Sequence, residues 1–148
     1  MPNTPLFQIP PIQPRQTSTK EKTFYQVLKK AAPEHFVLTR VESIYPGYPD
    51  LTLINLEKGK IIQIELKVSV SEKVKLSPAQ ISYLTKSGKA PVYILVRYIP
   101  SQTKKEKSWL LFESSQAVRL SLHGLAKTEP ALVIENKQYE KLFDYLQV

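Results

Sequence analysis

No cysteine occurs in this chain of 148 residues. Disulfides are therefore excluded, as are zinc sites built on thiolates. There is no run of about eighteen apolar residues, so no membrane-crossing helix is expected. The beginning of the chain lacks the apolar stretch of a secretory signal. Together these absences favour an intracellular protein with no membrane partner. Histidine is scarce: His35 and His123 stand alone, neither at metal-ligand spacing from a second ligand. A Gly-rich phosphate loop and a Ser or Cys nucleophile motif are missing as well.

What is abundant is positive charge. The net charge is +8. Residues 58 to 107 hold eleven Lys or Arg against three Glu, while the flanking segments nearly balance. A local basic excess attracts polyanions and makes their binding fall with salt. A solvated lysine-rich surface that only aids solubility would look the same by composition. The 42% apolar and 9% aromatic content suits a folded domain, and the length suits one rather than two.

Five of the twelve prolines fall in residues 1 to 17, which read as a flexible Pro-rich arm before a single domain over 18 to 148. A helix is expected from Ser18 or Thr19, where Ser18-Thr19-Lys20-Glu21 fits a capping box. Phe24, Val27, Leu28 and Ala31 then form one apolar stripe, and Pro33 ends it. Strands are expected over 35–45, 51–56 and 61–70, the last two joined by a hairpin turn at Glu57-Lys58-Gly59-Lys60. Ser77-Pro78-Ala79-Gln80 opens a second helix with proline at its first position, and Gly88 terminates it. The apolar run Val92 to Val96 reads as a strand lying parallel to an earlier one, because a helix separates them. A core over 18–98 is followed by a C-terminal extension over 99–148. There, Trp109 to Phe112 reads as a strand and 137–146 as a helix, with 114–124 ambiguous. The whole reads as α/β, an αβββαβ core with a mixed central sheet flanked by helices.

Four residues carry the chemistry: Glu21, Asp50 in Tyr45-Pro46-Gly47-Tyr48-Pro49-Asp50-Leu51, and Glu65 and Lys67 in Ile64-Glu65-Leu66-Lys67. With the turn at 57–60, Leu56 faces Ile61, so Asp50 falls opposite Lys67 and Thr52 opposite Glu65. Side chains alternate along a strand, which puts Gln63, Glu65 and Lys67 on one face and Ile62, Ile64, Leu66 and Val68 on the other. Asp50 shares the polar face, and a one-residue slip would destroy this. Glu21 sits on the apolar stripe of the first helix, where it can approach the same place.

Two carboxylates and an amine around one phosphate are what metal-dependent phosphodiester hydrolysis needs. Hard oxygen donors hold Mg²⁺ with several waters retained, and the metal offsets phosphate charge and lowers the pKa of bound water. Asp50 and Glu65 are the expected ligands, joined by the Leu66 carbonyl. Lys67 would orient the water or offset developing charge, and Glu21 would serve a second metal or a metal-bound water. Each residue also has a plainer explanation. Glu21 suits a capping box, Asp50 a strand start, and Glu65 and Lys67 a surface pair. Their conjunction on an otherwise apolar strand, behind an Asp approached through Gly47 and Pro49, favours the site.

This constellation resembles the PD-(D/E)xK nuclease superfamily, through Pro49-Asp50 and Glu65-Leu66-Lys67. Within it the chain looks most like small phage-type VRR-Nuc enzymes, and more loosely like archaeal-type Holliday junction resolvases, over residues 18–98. Glu42-Ser43, Pro46-Gly47-Tyr48-Pro49-Asp50-Leu51, Leu76-Ser77-Pro78-Ala79-Gln80 and Gly88 occur in the same order. The resemblance implies Mg²⁺ or Mn²⁺ dependence and endonucleolytic cleavage of DNA, often branched, with Gln80 near the active site and Ser43 near a phosphate. A phage origin would place the protein in the host cytoplasm. Tyr45 and Tyr48 flank the site and are placed either to stack on a base or to pack on the sheet edge. Lys73, Lys75, Lys86 and Lys89 are candidates for phosphate contacts, and Lys104, Lys105 and Lys107 form a further basic loop. Three functions remain open: a structure-selective endonuclease on branched or double-stranded DNA acting as a homodimer, a sequence-specific restriction- or homing-type enzyme, and a non-catalytic DNA-binding module.

Overall fold

The computed structural model describes residues 19–147, with side chains from residue 22 onward. The expected arm over 1–17, the Ser18 cap and the Glu21 side chain lie outside the described residues. In chain order the elements are α1 (Thr19–Ala31), β1 (Phe36–Arg40), β2 (Leu51–Asn55), β3 (Lys60–Ser69), α2 (Pro78–Lys86), β4 (Val92–Tyr98), β5 (Ser108–Glu113), α3 (Ala117–His123), β6 (Leu132–Ile134) and α4 (Glu140–Leu146). The six strands form one sheet in the order β1-β2-β3-β4-β5-β6. The β3–β4 pair is parallel and the other pairs antiparallel, so the sheet is mixed and flanked by helices, as expected.

Alternation divides the sheet into two faces. Leu51, Leu53, Ile62, Ile64, Leu66, Leu95, Trp109 and Leu111 pack with Phe24 and Leu28 of α1 and with Leu142, Phe143 and Leu146 of α4. On the other face Val92, Ile94, Val96 and Phe112 pack with Leu84 of α2 and with Ala117 and Leu120 of α3. Phe24 meets Trp109 edge-on with ring centroids 4.7 Å apart, and truncating such a side chain costs about 3–5 kcal/mol. Among the described residues no helix is long and apolar enough to cross a membrane.

One carboxylate joins the C-terminal elements. Glu106 accepts hydrogen bonds from Arg97 Nε at 2.7 Å, Trp109 Nε1 at 2.6 Å and Tyr139 Oη at 3.0 Å. Burial, and then the bond to Glu106, push the Tyr139 hydroxyl up to about 12. Tyr139 also stacks on Trp109 with centroids 4.1 Å apart.

The β2–β3 hairpin corrects the expected register. Its loop is residues 56–59, so Asn55 pairs with Lys60 and Leu51 with Ile64. The reason is Asn55, a fully buried residue whose side-chain oxygen accepts the Glu57 N–H at 3.1 Å and the Lys58 N–H at 3.4 Å. That Asx-type turn ends the strand one residue early, and Gly59, with φ of +62°, completes the reversal. The register moves by two positions, so every side chain keeps its face. Continuing the pairing one step beyond Leu51 brings Asp50 level with Glu65 rather than with Lys67.

Candidate active site and groove

The approach to Asp50 is fixed by backbone packing. Gly47 has φ of +85°, and a Cβ there would come within 2.3 Å of the Ala79 carbonyl oxygen and 2.9 Å of the Gln80 nitrogen. The loop carrying Asp50 thus lies directly on the first turn of α2. The Val41 N–H donates to the Asp50 carbonyl at 2.8 Å and closes the loop. Asp50 Oδ2 then accepts the Leu66 N–H at 3.0 Å, which places a carboxylate where β2 has ceased to pair with β3. The N–H and C=O of one strand residue point to the same edge. The Leu66 carbonyl is therefore aimed to the side on which Asp50 lies.

Glu65 and Lys67 follow from alternation on β3. Their parallel partners on β4 are Ile94 and Val96, which are fully buried. Glu65 is only 1% exposed, Asp50 8% and Gln80 5%. Gln80 joins the group through both ends of its amide. Its Nε2 donates to Glu65 Oε1 at 2.6 Å, while its Oε1 accepts from Lys67 Nζ at 3.1 Å and from the Ser77 N–H at 2.9 Å. A carboxylate on one side and two donors on the other permit one orientation of the amide. Lys67 Nζ also lies 3.7 Å from Glu65 Oε1. Ser77 completes the expected capping box by accepting the Gln80 N–H at 3.1 Å. Gln80 therefore starts the helix, as expected, and also bridges Glu65 and Lys67.

Above this cluster runs a groove of about 1670 Å³, lined by Lys67 and Gln80, the loop 43–47, the segment 70–77, part of 98–102 and the stretch 121–124. Lys73 and Lys75 are exposed along it. Two bonds hold their segment: Ser69 Oγ donates to the Lys73 carbonyl at 2.5 Å, and the Leu125 N–H to the Glu72 carbonyl at 2.8 Å. Ser43 lines the groove and its hydroxyl accepts the Tyr45 N–H at 3.0 Å. Lys86 and Lys89 are exposed at the other end of α2, about 9 Å along the axis from Gln80 in the case of Lys86.

The two tyrosines separate. Tyr48 Oη accepts from Gln63 Nε2 at 2.9 Å, Tyr83 Oη donates to Gln63 Oε1 at 2.8 Å, and the two rings lie 5.5 Å apart. Tyr48 thus packs on the sheet, whereas Tyr45 is 72% exposed and lines the groove. Helix α1 carries Glu21 in its first turn, and its stripe packs on the sheet face opposite the one bearing Glu65 and Lys67. The groove wall at 121–124 had no signal in the sequence, because α3 has seven residues and shows too little periodicity to read.

No family model matches the chain, and no curated protein matches it. Among solved structures it is similar to Hjc, a Holliday junction resolvase from the archaeal hyperthermophile Archaeoglobus fulgidus. The match has 20% identity and a TM-score of 0.45, and it covers 82% of this chain and 89% of that one. That degree of likeness transfers no residue's role.

Among the described residues no three His, Asp or Glu side chains gather as a metal cluster. The donors at the site are two buried carboxylates, one just before β2 and one on β3, and a backbone carbonyl on the same side as Asp50. Such a set suits a hard divalent cation that keeps most of its waters, since Mg²⁺ is commonly held by one or two carboxylates together with substrate phosphate.

Proposed function

We propose that this chain is a divalent-metal-dependent DNA endonuclease that hydrolyses phosphodiester bonds, with branched DNA as its preferred substrate. The observation that carries the proposal is the cluster of Asp50, Glu65, Gln80 and Lys67, whose Lys67 and Gln80 line a groove that also carries Lys73 and Lys75. Two nearly buried carboxylates, one of them paired with a lysine that reaches the groove, are costly to maintain for folding alone.

Asp50 and Glu65 are the proposed ligands for Mg²⁺ or Mn²⁺, with the Leu66 carbonyl beside them. When bound, the metal offsets phosphate charge and lowers the pKa of a coordinated water. Gln80 fixes the Glu65 carboxylate and the Lys67 ammonium relative to each other. Lys67 donates to a non-bridging phosphate oxygen and stabilises the charge that grows there as water attacks phosphorus. The bond from phosphorus to the leaving oxygen breaks, and that oxygen takes up a proton. Lys73 and Lys75 contact flanking phosphates, and Ser43, whose oxygen is already an acceptor, has its O–H left to donate to one. The branched-DNA preference draws support from the motif resemblance, and a homodimeric state from the two-fold symmetry of a four-way junction.

The test compares wild type with Asp50→Asn on duplex, single-strand, flap and four-way-junction DNA, in Mg²⁺ or Mn²⁺ and in EDTA. Cleavage should require metal and fall about a thousandfold in the variant, equivalent to roughly 4 kcal/mol of barrier, while DNA binding persists. Tight binding with no cutting of any substrate would leave a DNA-binding module and end the catalytic proposal.

A further inference from the structure

The groove is not lined by cations and polar groups alone. Tyr45 and Leu122 are each 72% exposed and Ile44 is 48% exposed, and all three line the groove that holds Lys67 and Gln80. They come from two separate elements, the loop before β2 and the end of α3. Both elements are fixed by glycines. Gly47 sits against Ala79, and Gly124, with φ of +78°, sits where a Cβ would come within 2.6 Å of the Glu72 carbonyl oxygen. The apolar side chains are therefore held at the groove by rigid backbone rather than left on wandering loops.

Exposed leucine and tyrosine side chains forgo the stabilisation that burying their apolar surface returns. A continuous duplex would leave that deficit in place, because it meets a groove with phosphates and sugars while its bases stay stacked inside. A partner that suits the whole lining must present anions to Lys67, Lys73 and Lys75 and apolar ring faces to Tyr45 and Leu122. Unpaired nucleotides do both. Aromatic side chains stack on any base, and apolar wedges hold steps open.

We infer that Tyr45 and Leu122 form a base-holding wedge, so that the groove takes DNA with unpaired nucleotides beside the phosphate at Lys67. This rests on the nuclease proposal for the identity of the ligand and goes beyond it. The feature selected is the unpaired base, and branch geometry matters only as a source of one.

The experiment measures binding by fluorescence anisotropy in EDTA, where no cutting occurs. The probes are a short labelled duplex and the same duplex carrying a bulge of unpaired nucleotides. Wild type should prefer the bulged probe. The double variant Tyr45→Ala/Leu122→Ser should lose that preference, about tenfold or more in affinity ratio, from 1–3 kcal/mol per stacked base at 1.4 kcal/mol per decade. Tyr45→Phe, which keeps the ring, should retain it. Equal binding of both probes by wild type, or a preference unchanged in the double variant, overturns the wedge. A separate cleavage assay with metal tests the nuclease, so either proposal can fail without the other. Circular dichroism melts confirm that the variants are folded.

Discussion

A Cβ on Gly47 would lie 2.3 Å from the carbonyl oxygen of Ala79, so the loop that delivers Asp50 and the helix turn that delivers Gln80 are in backbone contact. Neither element can shift without moving the other.

Gly47→Ala should therefore act as a site mutation, although it touches no reacting group. The positive φ alone costs about 1–3 kcal/mol in a non-glycine residue, and the clash is with backbone that cannot rotate away. Urea unfolding should show a loss of at least about 2 kcal/mol, and nuclease activity should fall with it. Gly59→Ala is the control. It shares the positive φ but has nothing within 4 Å of a new Cβ, so it should lose only the conformational part and keep activity per folded molecule.

Gln80 allows capping and site assembly to be separated. Gln80→Glu preserves the capping box, since glutamate serves at that position as well as glutamine. It also sets a second carboxylate against Glu65, where the amide now donates at 2.6 Å. Helix formation should survive while kcat falls by about tenfold or more, as a donor to a buried carboxylate is replaced by a like charge. Wild-type kcat in Gln80→Glu would limit Gln80 to capping.

Salt dependence distinguishes the lysines. Replacing Lys73 and Lys75 with Gln should reduce the slope of log K against log salt for DNA binding by roughly two, close to one unit per phosphate contact. The same change at Lys86 and Lys89, at the other end of α2 and outside the groove lining, should leave the slope nearly unchanged. A reversed pattern would move the DNA path to the far end of α2.

Tyr139 supplies a pH signature remote from the groove. Its hydroxyl, normally near 10.0, is held up to about 12 by burial and by its bond to Glu106. The folded state keeps that proton more tightly than the unfolded state does. The resulting stabilisation is complete below pH 10 and disappears as pH rises towards 12. Tyr139→Phe should be less stable than wild type at neutral pH, with the difference narrowing over that alkaline window. Thermal melts across pH check this.

Much of this fold was legible because its signals are local. The Ser77 capping box and the proline after it are adjacent residues, and the structure contains both the box and the helix. The polar face of β3 was legible because alternation survives a two-residue shift. The pairing itself was not, since it depended on Asn55 turning its side chain onto the following backbone, a choice that spacing alone does not reveal. The strand β6, three residues long, and α3, seven residues long, were unreadable because neither completes two periods of its pattern. Which of its two expected roles Tyr48 takes was left open by the sequence, because Gln63 and Tyr83, which engage it, are fifteen and thirty-five residues away.

The bond from the Leu66 N–H to Asp50 Oδ2 makes a main-chain proton part of the site. Its deuterium exchange and its nitrogen-15 chemical shift report the state of that carboxylate directly. A cation bound at Asp50, as proposed, should draw charge from the carboxylate, weaken the acceptor and shift the amide 66 signal. That signal would then gauge occupancy of the proposed site with no substrate and no added label on a side chain.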